Sequence, residues 1–357
     1  MKHSLRPVAA ALLGLSAAAL ALPAAAQSTV QLSGIADAAA RSVSNQGRGS
    51  VKSLVSGSNN TSRLVVRGTE DLGGGLSASF WLEHGIALDT GTSTAAGFWD
   101  RRSTLSLSGK SLGEVRMGRD YVPTYLNWVR FDPFSHVGVA GSNNSVSATP
   151  LGPIRSAFGS NANTTVRAND TLQYHLPGGL GGIDGQVMLG AGEGAGNKVI
   201  GARLGYVAGP LSLSAARVQT ENANTSTGKF IDTAIGGTWN LGFLRANAVW
   251  RQFKQNQSKQ TNLMLSGTVP VSTGEVKFSM IRVDLDGRVG TTSIDPNGST
   301  HLGLGYVHTL SKRSALYGTC SRISNRGAAT YQVPGGPAGL AGGGRSTGYE
   351  LGMRHNF

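Results

Sequence analysis

Cysteine is nearly missing from this chain. Cys320 is the only one in 357 residues, which excludes any intramolecular disulfide. Charge is also scarce, at 14% of residues, and so are aromatics, at 6%; a soluble domain of this size usually carries more charge and longer apolar runs. Past residue 27 no apolar run approaches the roughly 20 residues that a membrane-spanning helix needs. No segment there keeps apolar residues at three- and four-residue spacing for three turns, which argues against an amphipathic helical fold. The seven histidines show no metal-ligand spacing, so neither a metal nor another cofactor is expected. No His–Ser pairing marks a nucleophile, so an enzyme is not expected either. Basic runs interleaved with aromatics are absent, which removes the usual signature of nucleic-acid binding. Acids are few, 19 against 32 Lys and Arg, leaving a formal charge of +13 and pointing to anionic partners.

What is present begins with a compartment signal. Lys2, His3 and Arg6 precede an apolar stretch over 8–22, and Ala24-Ala25-Ala26 supplies a small-residue cleavage site before Gln27. This is the three-part pattern of a secretory signal peptide over 1–26. A mature chain of 27–357 follows, with no linker or composition break, and is expected to be a single domain. Losing Lys2 and Arg6 leaves +11 on it. For an exported chain of this charge the anionic partners are permeating anions and lipopolysaccharide phosphates.

The mature chain alternates. Leu76, Ala78, Phe80 and Leu82 oppose Ser77, Ser79, Trp81 and Glu83; Leu105 and Leu107 oppose Arg102, Thr104 and Ser106; Ile200, Ala202, Leu204 and Tyr206 oppose Arg203 and two glycines; Leu302, Leu304 and Tyr306 oppose His301, Gly303 and Gly305. Period-two alternation reads as half-buried strands. Gly- and Pro-rich turns near 71–75, 109–113, 177–182, 208–210, 240–242, 270–274 and 310–313 are short. Polar stretches at 44–58, 89–97, 121–166, 192–196, 221–229, 255–259, 286–299 and 325–345 are longer. Seven short turns alternating with eight longer loops predict a 16-stranded antiparallel transmembrane β-barrel with both termini on the periplasmic side. Such a barrel has a polar lumen and an apolar belt. Trp99, Trp239, Trp250, Tyr206 and Tyr306 are candidates for its aromatic girdles; Trp81 has inward parity. The connection 121–166, after the fifth strand, is too long for an ordinary hairpin, and its Trp128 and Phe131-Asp132-Pro133-Phe134 favour a packed, functional loop.

Several stretches, in order, resemble the Gram-negative general porins of the β-proteobacterial type over essentially the whole chain. They are STVQLSGIAD at 28–37, SRLVVRGTEDLGGGL at 62–76, RRSTLSLSGKSLGEVRMGRD at 101–120, the 131–134 loop motif, GLGYVH at 303–308 and the terminal GMRHNF. The resemblance implies a homotrimer of barrels, with the third extracellular loop, here 121–166, folded inward as a constriction. It also implies that Phe357 is recognised by the outer-membrane assembly machinery, although His355 stands where that signal more often has an apolar or aromatic residue. The more basic, anion-selective members are the best likeness. They place an arginine cluster at the constriction, which maps onto Arg63 on the second strand, Arg101 or Arg102 on the fourth, and Arg167 after the long loop.

Alternation independently sends Arg63, Arg67, Arg102, Arg116, Arg203, Arg245 and Arg251 inward, because their neighbours are apolar and a charge on the lipid face at mid-bilayer costs about 2–4 kcal/mol. For the fourth strand it favours Arg102, while a bulge at the loop end would present Arg101. Glu83 and Asp132 are the expected opposing carboxylates. With Asp132 the sole acid of 121–166, against Arg130 and Arg155, the field at the narrow point is expected to be positive. The function expected is an outer-membrane diffusion channel for small hydrophilic solutes that prefers anions. A substrate-specific channel for phosphate, sulfate or small carboxylates is the alternative.

Overall fold

The computed structural model describes residues 29–146, 151–194, 196–226 and 228–357; the expected signal peptide lies outside them. Sixteen antiparallel strands form one closed barrel. They are β1 (Thr29–Asn45), β2 in two pieces (Gly49–Ser56 and Arg63–Gly73), β3 (Leu76–Ala87), β4 (Arg102–Gly109), β5 (Gly113–Tyr121), β6 (Arg167–His175), β7 (Ile183–Gly190) and β8 (Lys198–Ala208). The second half comprises β9 (Leu211–Glu221), β10 (Phe230–Asn240), β11 (Arg245–Gln255), β12 (Ser258–Val271), β13 (Gly274–Val289), β14 (Gly298–Thr309), β15 (Ser314–Arg326) and β16 (Arg345–Asn356). Each strand pairs with the next, and β16 returns to β1 in a register running from Ile35↔Asn356 to Asn45↔Ser346. The seam is finished by Gly34 and Phe357, which exchange backbone hydrogen bonds of 2.9 and 3.1 Å. Closure leaves no strand edge facing hydrocarbon, as a bilayer requires.

The alternation sorts as expected. Leu105, Leu107, Val115, Met117, Leu204, Leu302 and Leu304 are exposed on the outer wall. Tyr206, Trp239 and Tyr306 are exposed beside short turns, where a girdle belongs.

The first hairpin corrects the sequence reading. The polar stretch 44–58 is not a loop: residues 46–48 make a tight turn and 49–56 pair with β1. The Ser, Gly and Asn content there signals a break within β2, at 57–62, rather than its absence. That break is held by Asp37 of β1, whose carboxylate accepts the backbone N–H groups of Ser58 (3.1 Å), Asn59 (3.0 Å) and Asn60 (2.8 Å) and the Tyr317 hydroxyl (2.6 Å). The 255–259 stretch is likewise a tight turn, since β11 ends at Gln255 and β12 starts at Ser258.

The connection 121–166 carries three short helices, α1 (Pro123–Val129), α2 (Asn143–Val146) and α3 (Pro153–Phe158), and a 3₁₀ turn (Ala162–Thr165). It runs inside the barrel. Trp128 and Phe131 are fully buried and join a core with Phe230, Val249, Phe253, Met264, Ile281 and Ile323 from the inner wall. Inward glycines make room for it. A Cβ on Gly236 would lie 2.6 Å from the Phe131 ring, and one on Gly303 would lie 2.7 Å from the Ala140 side chain. Replacing Gly236 by Leu therefore overpacks the seat, at a cost of about 1–3 kcal/mol. We expect the variant barrel to keep its heat resistance in detergent while residues 121–166 become sensitive to limited proteolysis. An equally protected loop in the variant would show that Phe131 does not depend on that space.

Candidate functional site

The loop divides the lumen. α1 lies along β8–β10, where Thr124 donates to Asp232 (2.6 Å) and Asn127 to Ser214 (2.9 Å). Beyond it, Arg130 bonds Ser212 (2.9 Å) on β9. Further along, the Phe131 carbonyl accepts from Ser266 on β12 (2.7 Å), and the Val139 carbonyl accepts from Ser321 on β15 (2.6 Å). The Val139 N–H donates to Glu350 on β16 (3.1 Å), and Glu350 is paired with Arg41 of β1 (2.5 Å). The wall from β7 to β16 is thus covered by the loop, and the wall of β2–β6 is left facing water.

That open wall carries the arginines. Glu83 on β3 lies 2.5 Å from Arg101 and 3.6 Å from Arg63. The Tyr121 hydroxyl accepts from Arg101 (3.1 Å) and Arg167 (3.0 Å), and the Arg167 guanidinium stacks 4.5 Å over the same ring. One chain of contacts, Arg63–Glu83–Arg101–Tyr121–Arg167, therefore joins the three strand positions expected from the sequence. Arg101 and Arg102 both point in, to different partners. Arg101 closes on Glu83, whereas Arg102 lies 3.6 Å from Asp120 and 4.6 Å from the Trp81 ring. Arg116 pairs with Glu114 (2.8 Å) and Asp120 (2.7 Å). The Arg67 guanidinium lies 5.4 Å from the centroid of the same Trp81 ring. Arg67, Trp81, Arg102 and Arg116 line a pocket of about 400 Å³ in this wall.

Exposure decides the sign of the field. The Glu83 and Asp120 side chains are 7% and 4% exposed, while Arg63 is 23% and Arg102 16%. Glu83 and Asp120 sit behind the guanidinium groups and hold them; Glu114 is the water-facing acid, 25% exposed, and is outnumbered by the arginines around it, so the surface carries a net positive charge. Placing like charges this close is stabilised by shared anionic and aromatic partners.

Other expected residues lie elsewhere. Asp132 does not oppose the arginines: it is buried, and its oxygens accept the backbone N–H groups of Phe134 (2.8 Å), His136 (2.9 Å) and Ser142 (3.1 Å). The short Asp-Pro segment makes it a local turn former, and burial raises its pKa. Arg251 faces inward but is covered by the loop, fully buried with Asp232 (2.7 Å) and the Thr165 carbonyl (3.0 Å). Arg203 pairs with Asp184 beneath α1. Arg245 stands exposed at the start of β11, beside a short turn and away from the cluster. Tyr121 and Glu114 were not singled out from the sequence; Tyr121, of outward parity, ends β5 opposite a bulge on β6 between Ala168 and Thr171.

The Gram-negative porin family model matches residues 9–328. The chain is a Gram-negative porin. It is 36% identical over 377 residues to outer membrane porin protein 32 of Delftia acidovorans, covering all of both chains. A Bordetella pertussis outer membrane porin is 26% identical over 76% of this chain and 79% of its own. Among solved structures, an anion-selective porin from Comamonas acidovorans superposes with a TM-score of 0.79 at 33% identity, over 93% of this chain and 100% of that one. The trimer form of Vibrio cholerae OmpT shares the fold, with a TM-score of 0.63 at 12% identity over 92% and 99%. The porin is an outer-membrane channel protein.

Two outcomes follow for this porin. Glu83→Gln removes the charge behind Arg63 and Arg101 and is expected to raise the anion-to-cation permeability ratio about fivefold at low salt, the worth of a unit charge about 4 Å away in water. A ratio that stayed level in reversal-potential measurements would place Glu83 outside the field that ions feel. The second outcome concerns pH. Burial, with Arg251 and Arg167 nearby, pushes the His136 pKa down to about 3. An unseated loop would protonate this histidine near pH 6.5 and the seated loop would not, so this group weakens seating progressively as pH falls from 6.5 toward 3. Asp132, with its raised pKa, acts in the opposite sense. Protection factors for amide exchange over 134–142, taken relative to the intrinsic rate at each pH, should therefore fall on acidification to pH 4.5 more in the wild type than in His136→Gln, and an equal fall would count against the assignment.

Proposed function

We propose that this porin is a diffusion channel for small hydrophilic solutes whose preference for anions is set by Arg63, Arg101, Arg102 and Arg167, with Arg67 and Arg116 extending the basic wall below them. The observation that carries this reading is the placement of these guanidinium groups together on the β2–β6 wall, with Glu83 and Asp120 shielded behind them. The anion-selective Comamonas porin supports it as a similar chain of like fold. Residues 121–166 act as the constriction element. A polar lumen, a narrow point and a charged ring are all that such selectivity requires; no catalytic step enters it, and the protein is proposed not to be an enzyme. Three arginines near a permeating ion bias anions over cations by about one to two orders of magnitude at low salt, and screening with a Debye length of about 8 Å reduces this at physiological ionic strength.

Porins of this fold include trimeric forms, and we infer that this one assembles as a homotrimer. Phe357 ends β16 at the barrel seam with its ring exposed, a position accessible to the outer-membrane assembly machinery. Residues 1–26 are the export signal and 27–357 the mature barrel.

The test is ion selectivity in planar bilayers under a KCl gradient. Arg63→Ala with Arg102→Ala is expected to lower the anion preference by about tenfold while the barrel remains heat-resistant in detergent. A wild-type channel preferring K⁺, or a double variant with the wild-type reversal potential, would overturn the assignment.

A further inference from the structure

A second basic pocket stands at the long-loop end of the barrel, apart from the one around Trp81. It holds about 220 Å³ between the end of β5, the start of β6, the 3₁₀ turn of the constriction loop and the turn before β8, and its polar lining includes Arg119, Asn161, Arg167, Asn169, Asp170 and Asn197. A bulge shapes it. Gly118 pairs with Thr171 and Asp120 with Ala168, so Asn169 and Asp170 together oppose Arg119. Asp170 takes the left-handed region, with φ of 53°, and its carbonyl accepts the Ala191 N–H (3.0 Å). Bulges re-aim side chains out of the ladder, and non-glycine residues held at positive φ cluster at functional sites.

The pocket is rich in donors and poor in acceptors. Arg119 donates its Nε to the Asp100 carbonyl (2.7 Å) and one terminal nitrogen to the Asn169 side-chain oxygen. Arg167 donates its Nε to the Arg101 carbonyl (2.7 Å) and one terminal nitrogen to the Tyr121 hydroxyl (3.0 Å). Each guanidinium keeps its other terminal nitrogen without a partner among the described residues, and the two are close enough to repel. The amides are used in the same sense. The Asn161 oxygen accepts the Asn163 N–H (3.2 Å), the Asn197 oxygen accepts the Asn222 amide (2.9 Å), and the Asn169 oxygen is taken by Arg119. Oxygens are spent on internal bonds and nitrogens are left over. Two like charges with spare N–H groups around one space are stabilised by an anion that offers several oxygens. Asp170 is the one acid in the lining. Its carboxylate repels an anion that has only lone pairs to present and accepts from one that carries an O–H.

We propose that this pocket is an entry subsite for hydrogen phosphate. Phosphate oxygens take the free ends of Arg119 and Arg167 and the spare Asn amides, and the P–OH donates to Asp170. Sulfate has the same shape and no proton at neutral pH, so the same carboxylate disfavours it. Arg167 also belongs to the Arg63–Glu83–Arg101–Tyr121–Arg167 chain, so an ion leaving the pocket is already in contact with the constriction. The proposal rests on the reading of the lumen as an anion path and names the anion that the path favours.

The test is block of the chloride current in planar bilayers at pH 7, with potassium phosphate or potassium sulfate added at matched ionic strength on the long-loop side. Wild type is expected to be half-blocked by phosphate at a concentration about tenfold below that needed for sulfate, because a site built to accept from an O–H rejects the analogue lacking it. Asp170→Asn, whose amide can donate, should bring the two anions to within about twofold of each other. Arg119→Gln should raise the half-blocking phosphate concentration about tenfold and leave the KCl reversal potential as in the wild type, since Arg63, Arg101 and Arg102 are untouched. Should that variant fail to fold, Arg119→Lys, which keeps the charge and loses the fork, is expected to raise it about threefold. The proposal is overturned by Asp170→Asn keeping the wild-type discrimination, or by either Arg119 variant keeping the wild-type phosphate block. A wild type that prefers K⁺ overturns the lumen reading and this proposal with it, whereas an anion-preferring wild type blocked equally by phosphate and sulfate overturns this proposal alone.

Discussion

Hydrocarbon offers no partner to a backbone N–H or C=O, and every feature of this porin follows from meeting that constraint with strands. Sixteen strands close on themselves through the β1–β16 register, so the outer face is free to be apolar and the inner face free to be polar. Once the wall is closed, the lumen is the place where charge is tolerated at mid-bilayer depth. The arginines of β2–β6 are there because no other position at that depth would hold them without large cost.

Closure alone gives a wide polar tube, and the loop turns it into a selective one. Its packing uses ordinary core chemistry: Trp128 and Phe131 bury fully against Phe253, Met264 and Ile281, and truncating either aromatic in such a setting costs about 3–5 kcal/mol. The same docking also sorts charge. The interior acids Asp132, Asp232 and Glu350 are all buried in contacts that hold the loop or the wall behind it. Those contacts remove them from the water path. The excess of 32 basic over 19 acidic residues thereby becomes a local excess on one wall, larger in effect than the overall count implies.

Most of the barrel was legible in period-two alternation, because each strand has one face against lipid and a one-residue slip would expose it. Arg63, Arg102 and Arg116 could be placed inward on that ground alone. The rule failed where the backbone leaves regular pleating. Tyr121 ends β5 opposite a bulge on β6, Arg101 precedes β4, and β2 is broken at 57–62 by contacts to Asp37 from another strand. Asp132 was misjudged for a different reason: a carboxylate in a loop has backbone donors within two to four residues, and these are satisfied before any distant arginine.

The seat of the loop had a readable signal that alternation by itself conceals. On an empty lumen wall the inward positions of a porin strand are polar. On β10 and β11 they include Phe230, Ala234, Val249 and Phe253, all buried, beside the outward residues Ile231, Ile235, Ala248 and Trp250, which are apolar as well. Two apolar faces on one transmembrane strand mean that something other than water covers the inner one. Inward glycines at Gly236 and Gly303 carry the same message, since a missing side chain at a polar wall leaves space for a packed neighbour. The arginines that stay in contact with water, among them Arg63 on β2, Arg102 on β4 and Arg116 on β5, stand outside this seat. The distribution of apolar and glycine residues at inward parity therefore fixes where the loop lies, and by exclusion where the charged path runs.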